Sequence, residues 1–156
     1  MPESEKEKVN PMPEGYPGIT PMLSIQNAMK GIEFYTYVFG AVQTFILKDK
    51  NGSVFHSELK IGKGVLMVAE EDPNFNKGPL TLGENSAFFW IYVENVDDVY
   101  GRAIKNGAIS ISEPENQFFG DRMCRINDPF GYIWLIASHV EDVSEEELKR
   151  RGDELG

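Results

Sequence analysis

The apolar positions of this chain fall into two kinds of run. Short runs with a two-residue parity read as strands, and one longer run repeats at roughly helical spacing. "GITPMLSIQ" at 18–26 is extended, with Pro21 marking an edge or a bulge. Asn27 then offers an N-cap to "AMKGIEFYTYVF", in which Ile32, Phe34, Tyr35, Val38 and Phe39 share a face, and Gly40 stands where a helix-ending glycine belongs. Three strands follow, "VQTFILK", "SVFHSELKI" and "GVLMVAE", separated by turns at "KNG" (50–52) and "GK" (62–63).

The same order then returns. "SAFFWIYV" at 86–93 is a strand, and Asn95 with Asp97 and Asp98 opens a helix whose acidic first turn suits its dipole. That helix ends at "NGA" with Gly107, and "ISISEP", "DRMCRIN" and "YIWLIAS" follow as strands. Placing "IQNAMKGIEFY…FGA" over "VENVDDVYGRA…NGA" gives an offset of 67–68 residues, an internal repeat of element order rather than of letters. The expected class is α+β, with tandem βαβββ modules over 18–70 and 86–138 inside a domain spanning 16–140. Residues 71–85 form a polar Pro/Gly linker. Residues 1–15 are a charged, proline-punctuated arm expected to be disordered, and 141–156 a helical tail capped by Ser144 with Glu147. A four-stranded sheet with one helix leaves its other face bare, so the bare faces must be covered by each other, a ligand or another chain.

Strand parity assigns the residues of those faces. With "GK" as a two-residue turn, Glu58 lies opposite Met67 and His56 opposite Ala69. With "DPFG" as a four-residue loop, Cys124 lies opposite Leu135 and Arg122 opposite Ala137. Ala87, Phe89, Ile91 and Val93 face a helix, while Phe88, Trp90 and Tyr92 form an aromatic wall on the other side. Likewise Ile19, Leu23 and Ile25 face the helix, and Thr20, Met22 and Ser24 the cavity.

Charge narrows the partners. Against 15 basic residues stand 25 acidic ones, a net charge of −10, which argues against nucleic acid and against an anionic membrane surface. No apolar run approaches the roughly 18 residues of a membrane span, and "MPESEKEKVNPMPEG" has no apolar core of a secretory signal, so the expected compartment is the cytoplasm. The single cysteine, Cys124, excludes an intramolecular disulfide and reads as a buried core thiol. His139 in "SHVEDVS" reads as a surface residue.

The tandem repeat, with "DPFG" in its last hairpin, resembles the vicinal oxygen chelate superfamily, which includes glyoxalase I, extradiol dioxygenases and bleomycin-resistance proteins. "ITPML…IEFYTYVFGA", "HSELKIG", "GDR", "NDPFG" and "HVEDVSEEEL" look like its PhnB-like branch. The resemblance implies a half-barrel built from both modules and, in metal-dependent members, four inward-facing ligands drawn from His, Glu and Gln. Matched motif to motif, those positions hold Thr20, Met67, Phe88 and Leu135, none of them a firm ligand for Ni²⁺, Zn²⁺ or Fe²⁺. A shift by one residue brings Ile19, Leu66, Ala87 and Trp134, which do no better.

The expected site is thus an aromatic-lined cavity bearing Thr20, His56, Glu58, Met67, Phe88, Trp90, Tyr92, Arg122 and Leu135, with no metal and no cofactor. His56 and Glu58 could be an acid/base pair or a hydrogen-bonded pair at the rim. Arg122 could clamp an anionic ligand or pair with an Asp such as Asp121. Three readings follow: a metal-free protein binding a small amphipathic or aromatic molecule; a glyoxalase-type lyase, isomerase or dioxygenase using an unrecognised metal site or His56 and Glu58; or an interaction module with its cavity filled. A homodimer is expected in each.

Overall fold

The computed structural model describes residues 8–16 and 18–155. Residues 1–7 of the arm expected to be disordered lie outside them, and 8–15 contain neither helix nor strand. The first module is β1 (Met22–Ile25), α1 (Ala28–Phe39), β2 (Val42–Lys48), β3 (Val54–Ile61) and β4 (Gly64–Glu70). A short helix, α2 (Pro79–Leu82), lies in the linker. The second module is β5 (Phe88–Tyr92), α3 (Val96–Lys105), β6 (Ile109–Asn116), β7 (Asp121–Asn127) and β8 (Ile133–His139), followed by α4 (Glu145–Asp153). Each module folds into a four-stranded sheet, in the orders β1-β4-β3-β2 and β5-β8-β7-β6, with the first strand parallel to the fourth. The architecture is α+β, two half-barrel modules of the same plan.

Local chemistry explains the boundaries. Asn27 takes a left-handed conformation (φ 68°), which Asn tolerates better than most residues, and its side chain accepts from the Lys30 amide to start α1. Gly40, also left-handed, ends it. Asn95 caps α3 through the Asp98 amide, with Asp97 and Asp98 at the positive end and Arg102 and Lys105 at the negative end. β1 is shorter than the expected 18–26. Pro21 has no N–H for the ladder, so pairing with β4 begins at Met22, and Ile19 is 98% exposed instead of packing under the helix. None of the helices among the described residues is long and apolar enough to cross a membrane.

The core lies between the helix-side faces of the two sheets. Leu23, Ile25, Leu59, Leu66 and Val68 of the first sheet join Cys124, Ile126, Trp134 and Ile136 of the second around α1 and α3. Asp128, at the start of the "DPFG" turn, is the polar tie at its centre. It accepts from the Tyr35 hydroxyl (2.6 Å), the Trp134 indole (2.9 Å) and the amides of Phe130 and Tyr132 (2.9 Å each). Tyr132 in turn donates to the Ser24 carbonyl across the module boundary. Burial pushes the Asp128 carboxyl above its ordinary range, outweighing the hydrogen bonds that hold it down. The signature turn therefore locks the two modules together.

Candidate functional site

The face of each sheet away from the helices is open, and the registers say which side chains stand on it. In the first sheet Met22 pairs with Met67, Met67 with Glu58 and Glu58 with Phe45, a row crossing all four strands. The two-residue turn at Gly62 and Lys63 sets Ile61 against Gly64 and so places Glu58 beside Met67, as the sequence predicts. His56 stands two residues along β3, its Nε2 3.6 Å from Glu58 Oε1, with both side chains partly buried. The other oxygen of Glu58 accepts a 2.6 Å hydrogen bond from the Tyr16 hydroxyl, which the carboxylate thereby holds above its usual pKa. Thr20 lies just before β1 and is half-buried. Ser24 is fully buried, with no hydrogen-bond partner for its hydroxyl among the described residues.

In the second sheet the rows are Phe88 with Ile133, Trp90 with Leu135 and Arg125, and Tyr92 with Ala137 and Met123. Phe88, Trp90 and Tyr92 are 63%, 47% and 60% exposed, the aromatic wall that parity predicts. Trp90 lies with its ring 6.2 Å from Tyr92 and 5.9 Å from Phe119.

Arg122 does not stand on this face. Gly131 adopts φ 91°, and the ladder ends at Asn127 paired with Ile133, which leaves five residues in the connection rather than four, so Cys124 pairs with Ile136 and Arg122 with Ser138. Every side chain of β7 moves to the opposite face from that expected. Arg122 grips Asp97 at the start of α3 with Nε and Nη2 (2.8 and 3.0 Å), which holds the Asp97 carboxyl below its ordinary range. Its partner is Asp97, not Asp121. The arginine on the open face is Arg125, which has no hydrogen bond or ion pair among the described residues. Cys124 is fully buried and burial pushes its thiol up to about 11, so it is a core residue.

At the other end of the open face, Tyr92 donates to Asp121 (2.7 Å), whose second oxygen meets His139 Nδ1 at 2.8 Å, while Asp142 meets Nε2 at 2.7 Å. His139 is half-exposed, as its place in the sequence suggests, but it bridges two carboxylates that raise its pKa, Asp121 first. Tyr16 and Arg125 are missed by sequence reasoning, which names Asp121 only as a partner for Arg122. The "DPFG" glycine, read as a bulge, signals Arg125, but nothing local signals the 42-residue reach of Tyr16 to Glu58.

At the four positions that the resemblance matches to metal ligands, the donor set does not fit a divalent ion. Thr20 offers a hydroxyl and Met67 a thioether, while Phe88 and Leu135 offer hydrocarbon. Among the described residues no three His, Cys, Asp or Glu side chains converge within one chain to hold an ion.

The sequence profile of the Glyoxalase/Bleomycin resistance protein/Dioxygenase superfamily matches residues 20–136. The chain belongs to that superfamily. It is similar to the uncharacterized protein Rv0887c of Mycobacterium tuberculosis, 29% identical over 137 residues that cover 85% of this chain and 81% of the relative. Its fold is shared with the PhnB protein from Bacillus cereus (TM-score 0.62, 18% identity, 78% of this chain and 99% of that one). The fosfomycin resistance protein FosX from Listeria monocytogenes, whose crystal structure holds Mn(II) and sulfate, has the same fold (TM-score 0.61, 16% identity, 85% of this chain and 95% of that one).

Proposed function

We propose that this protein binds a small amphipathic or aromatic molecule against its open sheet faces, without a metal ion in the recognition, and that it does so as a homodimer whose partner closes the site. The observation that carries the reading is the second sheet's exposed row. Phe88, Trp90 and Tyr92, with Leu135 beside Trp90, put aromatic and aliphatic surface where metal-dependent relatives need ligands. A sheet face this apolar is a binding surface by its chemistry. Polar points at its margins give orientation: Arg125 in the Trp90–Leu135 row, and Glu58 with His56 on the first sheet.

A second reading, acid–base turnover, has one observation behind it: His56 and Glu58 share the open face at 3.6 Å. Against it, the other Glu58 oxygen is engaged by Tyr16 and no further proton-transfer group is in hydrogen-bond contact with His56 among the described residues.

Fluorescence tests the binding reading directly. Trp134 is buried and Trp90 is half-exposed, so a naphthyl-bearing probe seated on the open face quenches Trp90 and leaves Trp134 emitting. The expected result is saturable partial quenching in the native protein, weakened in Phe88→Ala. Quenching that never saturates, or that Phe88→Ala leaves untouched, contradicts the proposal.

A further inference from the structure

The open face of the first sheet already carries a ligand-like group, and the chain itself supplies it. Tyr16 reaches Glu58 Oε2 from a segment whose described residues 8–15 are otherwise almost wholly exposed. Gly15 and Gly18 flank it at φ 89° and 81°, and an added Cβ at either would meet nothing within 4 Å. Backbone conformation rather than crowding therefore demands glycine there, and the two reversals deliver the Tyr16 ring to the sheet. A cavity of about 360 Å³ opens beside Tyr16, next to the Glu58 contact rather than over it, lined also by Glu14, Thr44, Lys60, Lys63 and Val65.

Glu58 sits in register between Phe45 and Met67, with His56 at its other oxygen. A partly buried carboxylate between apolar neighbours favours an O–H or N–H donor, and the neighbours favour a flat ring. A phenol satisfies both, and Tyr16 is one.

We infer that Tyr16 stands in for a ligand: the Glu58 site takes a single-ring aromatic molecule carrying one hydrogen-bond donor, a phenol or an aryl amine, and Tyr16 swings aside to admit it. This rests on the binding reading above and names the ligand class of its first-sheet half. Tyr16 competes with that ligand, so the native protein binds more weakly than the face alone would.

The test titrates 4-methylphenol, 4-methylaniline and 4-methylanisole calorimetrically into the native protein, Tyr16→Ala and the double variant Tyr16→Ala/Glu58→Gln. If Tyr16 holds Glu58 about nine-tenths of the time, its removal tightens apparent affinity about tenfold. The expected result is that gain for 4-methylphenol and 4-methylaniline, none for 4-methylanisole, which lacks the donor, and its loss in the double variant. Whichever of 4-methylphenol and 4-methylaniline gains more identifies the preferred donor as a phenolic O–H or an aryl N–H, and either supports the inference. Equal binding by native protein and Tyr16→Ala overturns it and leaves the binding reading standing. So does failure of all three compounds in a protein that still binds the naphthyl probe, whereas failure of every compound, the probe included, overturns both.

Discussion

Asp128 and His139 show how differently two polar side chains act in one fold. Asp128 is 4% exposed and satisfies two side-chain donors and two amides, so its removal strands the Tyr35 hydroxyl and the Trp134 indole inside the core. Asp128→Ala should cost about 3 kcal/mol in urea unfolding, the penalty for unpairing buried polar groups. A loss under about 0.5 kcal/mol would show that the tie is not structural. His139 instead reports pH. Its folded pKa is raised, so the protonated ring's contribution to stability is fully present below the ordinary value of 6.5 and is lost as pH rises through the higher folded value. An NMR titration should place its midpoint above 6.5, and Asp121→Asn should bring it down; a native midpoint at or below 6.5 would contradict the bridged geometry.

Elements were legible from sequence wherever a turn carried its own instruction. Asn27 and Gly40 bound α1, and the Gly62–Lys63 turn set Glu58 against Met67, because each depends on a few adjacent residues. The last hairpin was misread for an equally local reason. Gly131 in a left-handed conformation adds one residue to the connection, and a shift of one reverses the faces, which exchanges Arg122 for Arg125 on the open side. Tyr16 was illegible for a different reason, since its partner is set by the tertiary fold and by no periodicity. Two substitutions separate the arginines. Arg122→Ala should lower the melting temperature by freeing Asp97 while leaving probe affinity unchanged, and Arg125→Ala should do the reverse. The opposite pattern in paired melting and binding assays would reinstate Arg122 on the open face. Gly131→Ala should destabilise strongly, because a Cβ there would lie 2.7 Å from Pro79 Cβ in a backbone conformation that already costs alanine about 1–2 kcal/mol.

At the scale of the molecule, the repeated module explains both what is buried and what is not. Packing the helix-side faces together completes one core and leaves the two opposite faces in water, with Met22, Phe45, Phe88, Trp90 and Tyr92 each about half exposed or more. A second copy of the chain is the proposed cover, and sedimentation at micromolar concentration should show a dimer that Trp90→Glu dissociates. A monomeric native protein would remove the partner from the account. The most direct measurement of the central claim, recognition without a metal ion, is native mass spectrometry before and after exposure to Ni²⁺, Zn²⁺ and Fe²⁺. The account predicts no stoichiometric ion and an unchanged mass, apart from any retained organic molecule; one tightly held ion per chain would contradict it and turn the search to lyase and dioxygenase activity.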